Sequence, residues 1–247
     1  MDRLIYTAMS GASHVLQQQA AVSENLANNH TPGFRAAINT FRAVPLVGEG
    51  LPTRVFVVDS TAGADFSAGT MEPTGRNLDV AIDGKGWIAV QGPDGKESYT
   101  RNGSLQITSN GILQTRSGLN VIGDAGSITV PPNTEITIAK DGTISTVPTG
   151  TKPAAVVTVG RIKLTNPPEA QMVRGDDGMF RTKDGKATNA DSQVTVVSGN
   201  LEGSNVNAVE SMVNMITLAR QFDNQMKMLQ TADNDAKAAS SLLNING

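Results

Sequence analysis

Two groups of carboxylates in this chain could do acid–base chemistry: Asp79 with Asp83, and Asp176 and Asp177 with Asp184. Two carboxyl groups flanking a sugar linkage are what a β-rich glycosidase would need. Both groups, however, fall among hairpin glycines, in "AIDGKG" and "RGDDGMFRTKDGK", where aspartate is expected for turn formation alone. The second run (174–186) also offers loop oxygens for calcium, but its spacing does not match the EF-hand loop. His14 and His30 are the only histidines, and cysteine is absent. No Gly-x-Ser-x-Gly elbow, phosphate-cradling glycine loop or His-Glu-x-x-His pair occurs. No residue is therefore assigned as catalytic, cofactor-binding or metal-ligating, and neither a cofactor nor a small-molecule substrate is expected. Trp87, the lone tryptophan, is expected in the core or at a subunit contact.

A chain of 247 residues can bury a substantial core. With 38% hydrophobic but only 4% aromatic residues, that core must be built from small aliphatics. The formal charge is −3 and no basic block appears, which argues against nucleic acid as a partner. The N-terminus lacks the basic start, apolar run and small-residue cleavage site of a Sec signal peptide. No stretch approaches the roughly 20 apolar residues that span a bilayer. These features predict a soluble chain that, if it leaves the cytosol, does so by another route; freedom from cysteine suits passage in the unfolded state.

The ends of the chain differ from its middle. Ile5, Ala8, Ala12, Val15, Gln19, Val22 and Leu26 alternate spacings of three and four, a seam of the coiled-coil type. Ala208, Met212, Met215, Ala219, Phe222, Met226, Leu229, Asp233, Ala236, Ser240 and Leu243 do the same, and Asn207 followed by Glu210 marks a helix start. Between these ends Asp-Gly or Asn-Gly occurs seven times from Asp83 to Gly185, each pair predicting a tight hairpin between short β-prone runs such as "WIAV" (87–90) and "EITI" (135–138). The expected fold is α+β: paired N- and C-terminal helices of the coiled-coil type with an inserted, mostly antiparallel β domain. The expected divisions are an N-terminal helix and turn (1–43), an extended connector (44–75), a β-rich domain (76–200) and a C-terminal helix (201–247).

Residues 1–34 carry only Asp2, Arg3 and Glu24 as ionised side chains. Their apolar stripe is mostly alanine and valine, whose burial contributes less than the roughly 1.5–3 kcal/mol of a large aliphatic, while ordering a residue costs about 1–2 kcal/mol of backbone entropy. Two such helices alone look marginal. Either they are completed by other subunits, ordering only on polymerisation, or they form a self-contained pair within a monomer. The run "NLANNHTPGF" (25–34) sits at the end of the first helix. Pro32 cannot continue that helix, asparagine can satisfy loose helix-end carbonyls, Gly33 supplies free backbone torsion and Phe34 an anchor. Phe34 with Ile38, or Phe41 with Val44 and Pro45, could also present an export signal, or simply pack beneath the turn.

The same run resembles the signature of bacterial flagellar axial proteins, the rod and hook family. "LDVAIDGKGWIAVQ" (78–91), "YTRNGSLQITSNGIL" (99–113) and "SGNLEGSNVNAVESMVNMI" (198–216) resemble further stretches of that family in the expected order. "IYTAMSGA" (5–12) and "TPGFRAAINTFRAVP" (31–45) resemble its proximal rod members most, with a distal rod or hook-family axial subunit second and a secreted β-domain binding protein as the remaining alternative. The resemblance implies a structural subunit without enzymatic activity. Its helices would line an inner tube in the periplasm and its β domain would lie outside. The implied partners are copies of itself, proximal and distal rod subunits, and the flagellar type III export apparatus, through which the chain would pass uncleaved. The implied assembly residues are Asn25, Leu26, Asn28, Asn29, Thr31, Gly33 and Phe34, together with the helix seam Ile5, Val15, Val22, Met212, Met215, Phe222, Met226, Leu229 and Leu243.

Overall fold

A computed structural model of the chain describes residues 2–45, 55–148 and 155–243, without the side chains of 2–4, 43, 55–62, 242 and 243. The chain divides into two units. The helical unit gathers both ends of the chain and residues Ala37–Asp65; the β unit comprises Asn29–Ala36 and Phe66–Asn205.

In the helical unit, α1 (Asp2–Ala27) and α2 (Ala208–Leu243) pack side by side. They run antiparallel: Gly11 faces Gln225, and Gln18 and Val22 share a groove with Asn214 and Gln221. The Gln225 side chain lies 3.1 Å from where a methyl group on Gly11 would sit, so the helices approach closely at a residue with no side chain. Asn207 starts α2 by accepting the Val209 and Glu210 backbone N–H groups at its side-chain oxygen, 3.1 and 3.2 Å away, as its residue type predicts. Between the helices in sequence lies an antiparallel ribbon, β1 (Ala37–Pro45) and β2 (Val55–Ala64), with a bulge between Thr40 and Phe41. The stretch expected as an extended connector thus contributes a paired strand, and residues 46–54 lie outside the described residues. Alternation explains the ribbon as far as Arg42: Ala37, Asn39 and Phe41 turn inward while Ile38, Thr40 and Arg42 are exposed. Phe41 meets the His14 ring edge-on at 5.3 Å, and Asn39 donates to the Gln17 carbonyl.

The β unit is antiparallel throughout its described ladders. A five-stranded sheet runs in the order Leu164–Thr165, Trp87–Gln91, Glu97–Thr100, Phe180–Thr182, Met172–Arg174; a three-stranded sheet comprises Thr134–Ile138, Thr143–Pro148 and Val157–Arg161. Val80–Asp83 pairs with Thr195–Ser198, and Met71–Pro73 with Asn200–Glu202. The hairpin chemistry is visible turn by turn. Glycines 84, 95, 111, 142, 178 and 185 all have positive φ, whereas Gly103, expected to do the same, does not. Gly103 is needed for another reason: a Cβ there would overlap the Val80 carbonyl. The core is a cluster of fifteen aliphatic side chains, among them Ile82, Ile88, Leu105, Leu113, Ile144 and Ile162, with no aromatic member. Three aromatics gather separately: Trp87 meets Phe180 with ring centres 4.6 Å apart and planes tilted by 46°, and Phe66 lies against both.

Candidate assembly site

The buried stripe of α1 follows the expected seam. Ala8, Ala12 and Val15 are buried, and Ile5, Gln19, Val22 and Leu26 are half-buried. On α2 four of the ten described seam positions turn inward. Ala208, Met215, Phe222 and Leu229 are half-buried as expected, but the column between them is Ser211, Leu218, Gln225 and Ala232, one residue before the one predicted. Met212 and Met226 are exposed, as are Ala219, Asp233, Ala236 and Ser240. Leu243 lies beyond the described side chains. Hydrophobicity ranks methionine above serine and glutamine, so a sequence pattern selects Met212 and Met226. Close packing at Gly11 instead admits an amide and small residues, and the methionines turn outward.

Among the polar side chains that the helices leave exposed run two apolar stripes. Val209, Met212, Val213 and Ile216 form a second stripe on α2 that is 52–71% exposed. Tyr6, Met9 and Leu16 form another on α1. Beside them runs a groove of about 350 Å³, floored by Ala21, Val22 and Leu218 and walled by amides and hydroxyls from Gln18, Asn39, Asn214 and Thr217. From Ser211 to Ala219 α2 has no ionised side chain.

The "NLANNHTPGF" run places its groups in both units. In the helical unit, the Asn25 side chain accepts the Ala37 N–H at 2.7 Å and donates to the Ala37 carbonyl at 3.0 Å, imitating a strand partner with one amide. Aspartate would lose the donor and leucine would lose both bonds. Asn28 donates to the Glu24 carbonyl from its side chain, closing α1. In the β unit, Gly33 sits at φ +69° with the Arg101–Asn102 backbone directly against it. Phe34 is buried, with the Arg174 guanidinium 4.5 Å from its ring centre. Leu26, Asn29 and Thr31 are half-buried. Low charge therefore has an internal cause: these groups meet their partners within the chain.

Sequence reasoning missed Arg35, the neighbour of Phe34, and the ions it meets. Arg35 and Glu202 are each 1% exposed and paired at 2.6 Å; Arg101 reaches the other oxygen of Glu202 at 2.9 Å. Each of the three sits in one of the stretches that carry the family resemblance, and nothing in their spacing along the chain links them. Single charges amid hairpin sequences look like solvated surface, and only folding brings 35, 101 and 202 together.

The candidate carboxylates serve the turns. Asp79 is buried against Arg76 (3.1 Å) and Ser104, while Asp83 is exposed. Asp94, Asp141, Asp177 and Asp184 each accept the N–H two residues on. Both oxygens of Asp177 are engaged by Arg181. Among the described residues no group of three or more acidic or histidine side chains could hold a metal. The Thr143 hydroxyl holds the Asp141 carboxyl below its usual range; the Arg181 guanidinium does so for Asp177, and the Lys186 backbone N–H for Asp184. Because these folded values lie below the unfolded value of about 3.9, the turns gain full stability only above that value and lose it as pH falls through the folded values. Thermal unfolding should accordingly be flat between about pH 6 and 8 and fall below about pH 4. Replacing all three aspartates with asparagine should flatten that acid limb, as circular dichroism melts at each pH would record.

An antiparallel helix pair made from both ends of one chain, carrying uncovered apolar stripes and an inserted β unit, defines a structural subunit of the axial type. Three family models match: "Flagella basal body rod protein" at residues 5–35, "Flagellar hook protein FlgE/F/G D1 domain" at 81–146, and "Flagellar basal body rod FlgEFG protein C-terminal" at 197–242. The flagellar basal-body rod protein FlgF of Escherichia coli (strain K12) is 51% identical, over 99% of this chain and 100% of its own length. FlgF of Salmonella typhimurium is 48% identical over the same shares, and the rod protein FlgG of Buchnera aphidicola from Acyrthosiphon pisum 30% identical over 90% of this chain and 92% of its own. The chain belongs to the FlgF family of flagellar basal-body rod proteins. It is a structural rod subunit of the flagellar basal body, assembling with other rod and hook proteins. No helix among the described residues is long and apolar enough to cross a membrane.

Proposed function

We propose that this chain is a proximal rod subunit that polymerises through its terminal helices, transmits torque from motor to hook across the periplasm, and catalyses no reaction. It travels through the flagellar type III export apparatus uncleaved and packs against copies of itself and against proximal and distal rod subunits. One observation carries this reading: the helical unit covers too little of its own apolar surface. Among the described residues its buried apolar side chains are Ala8, Ala12, Val15, Leu218 and Ala232, a thin core beside the aliphatic cluster of the β unit. Meanwhile Tyr6, Met9, Leu16, Val209, Met212, Val213 and Ile216 face outward. At about 25 cal/mol per Å² of apolar surface removed from water, covering those stripes with neighbouring helices stabilises what the subunit alone does not. The uncharged groove and flanking amides make that burial free of charge desolvation. Leu26, Asn28, Asn29 and Thr31, half-buried at the helix end, join the contact, while Gly33 and Phe34 shape it from within.

A double variant, Val213→Glu with Ile216→Glu, tests this directly. Both positions are more than half exposed, so melting of the isolated subunit should change by no more than about 0.5 kcal/mol. In cells carrying only the variant, swimming should be abolished and basal bodies should end early. Wild-type swimming would show that α2 does not use this face in assembly.

A further inference from the structure

The ion cluster at Glu202 joins the β unit in an unusual way. Glu202 Oε1 accepts from Arg35 Nη2 and from the Gly69 N–H (3.1 Å), and Oε2 accepts from Arg101 Nη1. Arg35 Nη1 donates to the Ser67 carbonyl at 2.5 Å and Arg101 Nη2 to the Gly84 carbonyl at 2.7 Å. The Glu202 backbone carbonyl takes the Gly33 N–H at 2.7 Å. Asn205 extends the set, accepting the Ala36 N–H at 2.7 Å and donating to the Ser67 carbonyl at 3.1 Å. Two guanidinium groups thus share one carboxylate, and the Nε of each is buried without a hydrogen-bond partner. The three groups carry one net positive charge inside the unit, faced by the Trp87 ring centre 5.6 Å from the Arg101 guanidinium carbon. A cluster selected for stability alone would not keep it, because well-packed apolar residues usually do as well or better than a buried ion group.

Its position suggests what it does instead. The segments it fastens, 33–36, 67–69 and 202–205, lie beside three of the four chain crossings out of the β unit, those at 36/37, 65/66 and 205/206; the fourth is at 28/29. Apolar contacts are non-directional and would let these segments slide; a planar guanidinium divided between the Glu202 carboxylate and a main-chain carbonyl admits one alignment. We propose that the Arg35–Glu202–Arg101 cluster is a register lock, kept at some expense in stability, that holds segments 33–36, 67–69 and 202–205 of the β unit in a single alignment, which assembly into the rod requires. The assembly part of this rests on the rod role proposed above; the lock itself does not.

The test uses the full-length chain with Arg35→Met, Arg101→Met and Glu202→Leu combined. Its melting temperature should stay within a few degrees of wild type or rise, while amide hydrogen exchange at 33–36, 67–69 and 203–205 speeds up at least about tenfold and swimming is lost. Glu202→Leu alone, which strands two buried cations, should lower melting by about 10 °C or more. Arg35→Lys keeps the charge but not the fork, and should by itself speed exchange at 67–69. A triple variant melting far below wild type would make the cluster an ordinary stabiliser and overturn the proposal, as would wild-type exchange in either the triple or the lysine variant. Faster exchange with normal swimming would leave the lock but overturn its part in assembly.

Discussion

Replacing Gly33 with alanine is expected to destabilise the β unit by at least about 3 kcal/mol, among the larger effects available to one methyl group. Two terms add. At φ +69° an L-residue costs roughly 1–2 kcal/mol because its Cβ crowds the neighbouring carbonyl. The new methyl would also overlap the Arg101 carbonyl carbon and the Asn102 nitrogen, both main-chain atoms. That backbone cannot step aside easily, because Arg101 is buried and tied to Glu202 and to the Gly84 carbonyl. Gly75 separates the terms: its φ is +71°, yet nothing lies within 4 Å of a Cβ there. Gly75→Ala should therefore show the torsional cost alone, about 1–2 kcal/mol. Urea unfolding of both variants gives the comparison, and equal losses at the two positions would show that the close approach at Gly33 is relieved by movement.

Phe180→Ala is the second large effect, expected to cost about 3–5 kcal/mol. Phe180 is buried, packed at a tilt against Trp87 and in contact with Phe66, so truncation empties a space that sheet strands on both sides cannot collapse to fill. Trp87 is the lone tryptophan and reports its own surroundings. Its emission should move to longer wavelength as water reaches the ring, and the unfolding midpoint in urea should drop. Val157→Ala, at an exposed position of the three-stranded sheet, should change stability by no more than about 0.5 kcal/mol and leave emission unaltered.

Much of the architecture is legible in the residues because it depends on local rules. Asn207 starts α2 because its side chain reaches the next free N–H groups. Six of the seven Asx-Gly pairs make positive-φ turns because glycine alone enters that region without strain. The α1 seam is readable because its small apolar residues, spaced by three and four, fall on one helix face. The strand runs at 87–90 and 135–138 likewise carry their pairing in their residue types.

Tertiary structure decided the rest, wherever the deciding partner is distant in sequence. On α2, which column turns inward depends on how closely α1 approaches at Gly11, and closeness favours Ser211 and Gln225 over Met212 and Met226. Gly103 is required by Val80 rather than by its own turn. The β2 strand needs β1 to complete it, so its residues alone looked like a connector. Arg35, Arg101 and Glu202 are three unremarkable charges until folding removes them from water together. Short-range order follows from residue type because its energies act within a few bonds, whereas burial and ion pairing depend on which surfaces meet.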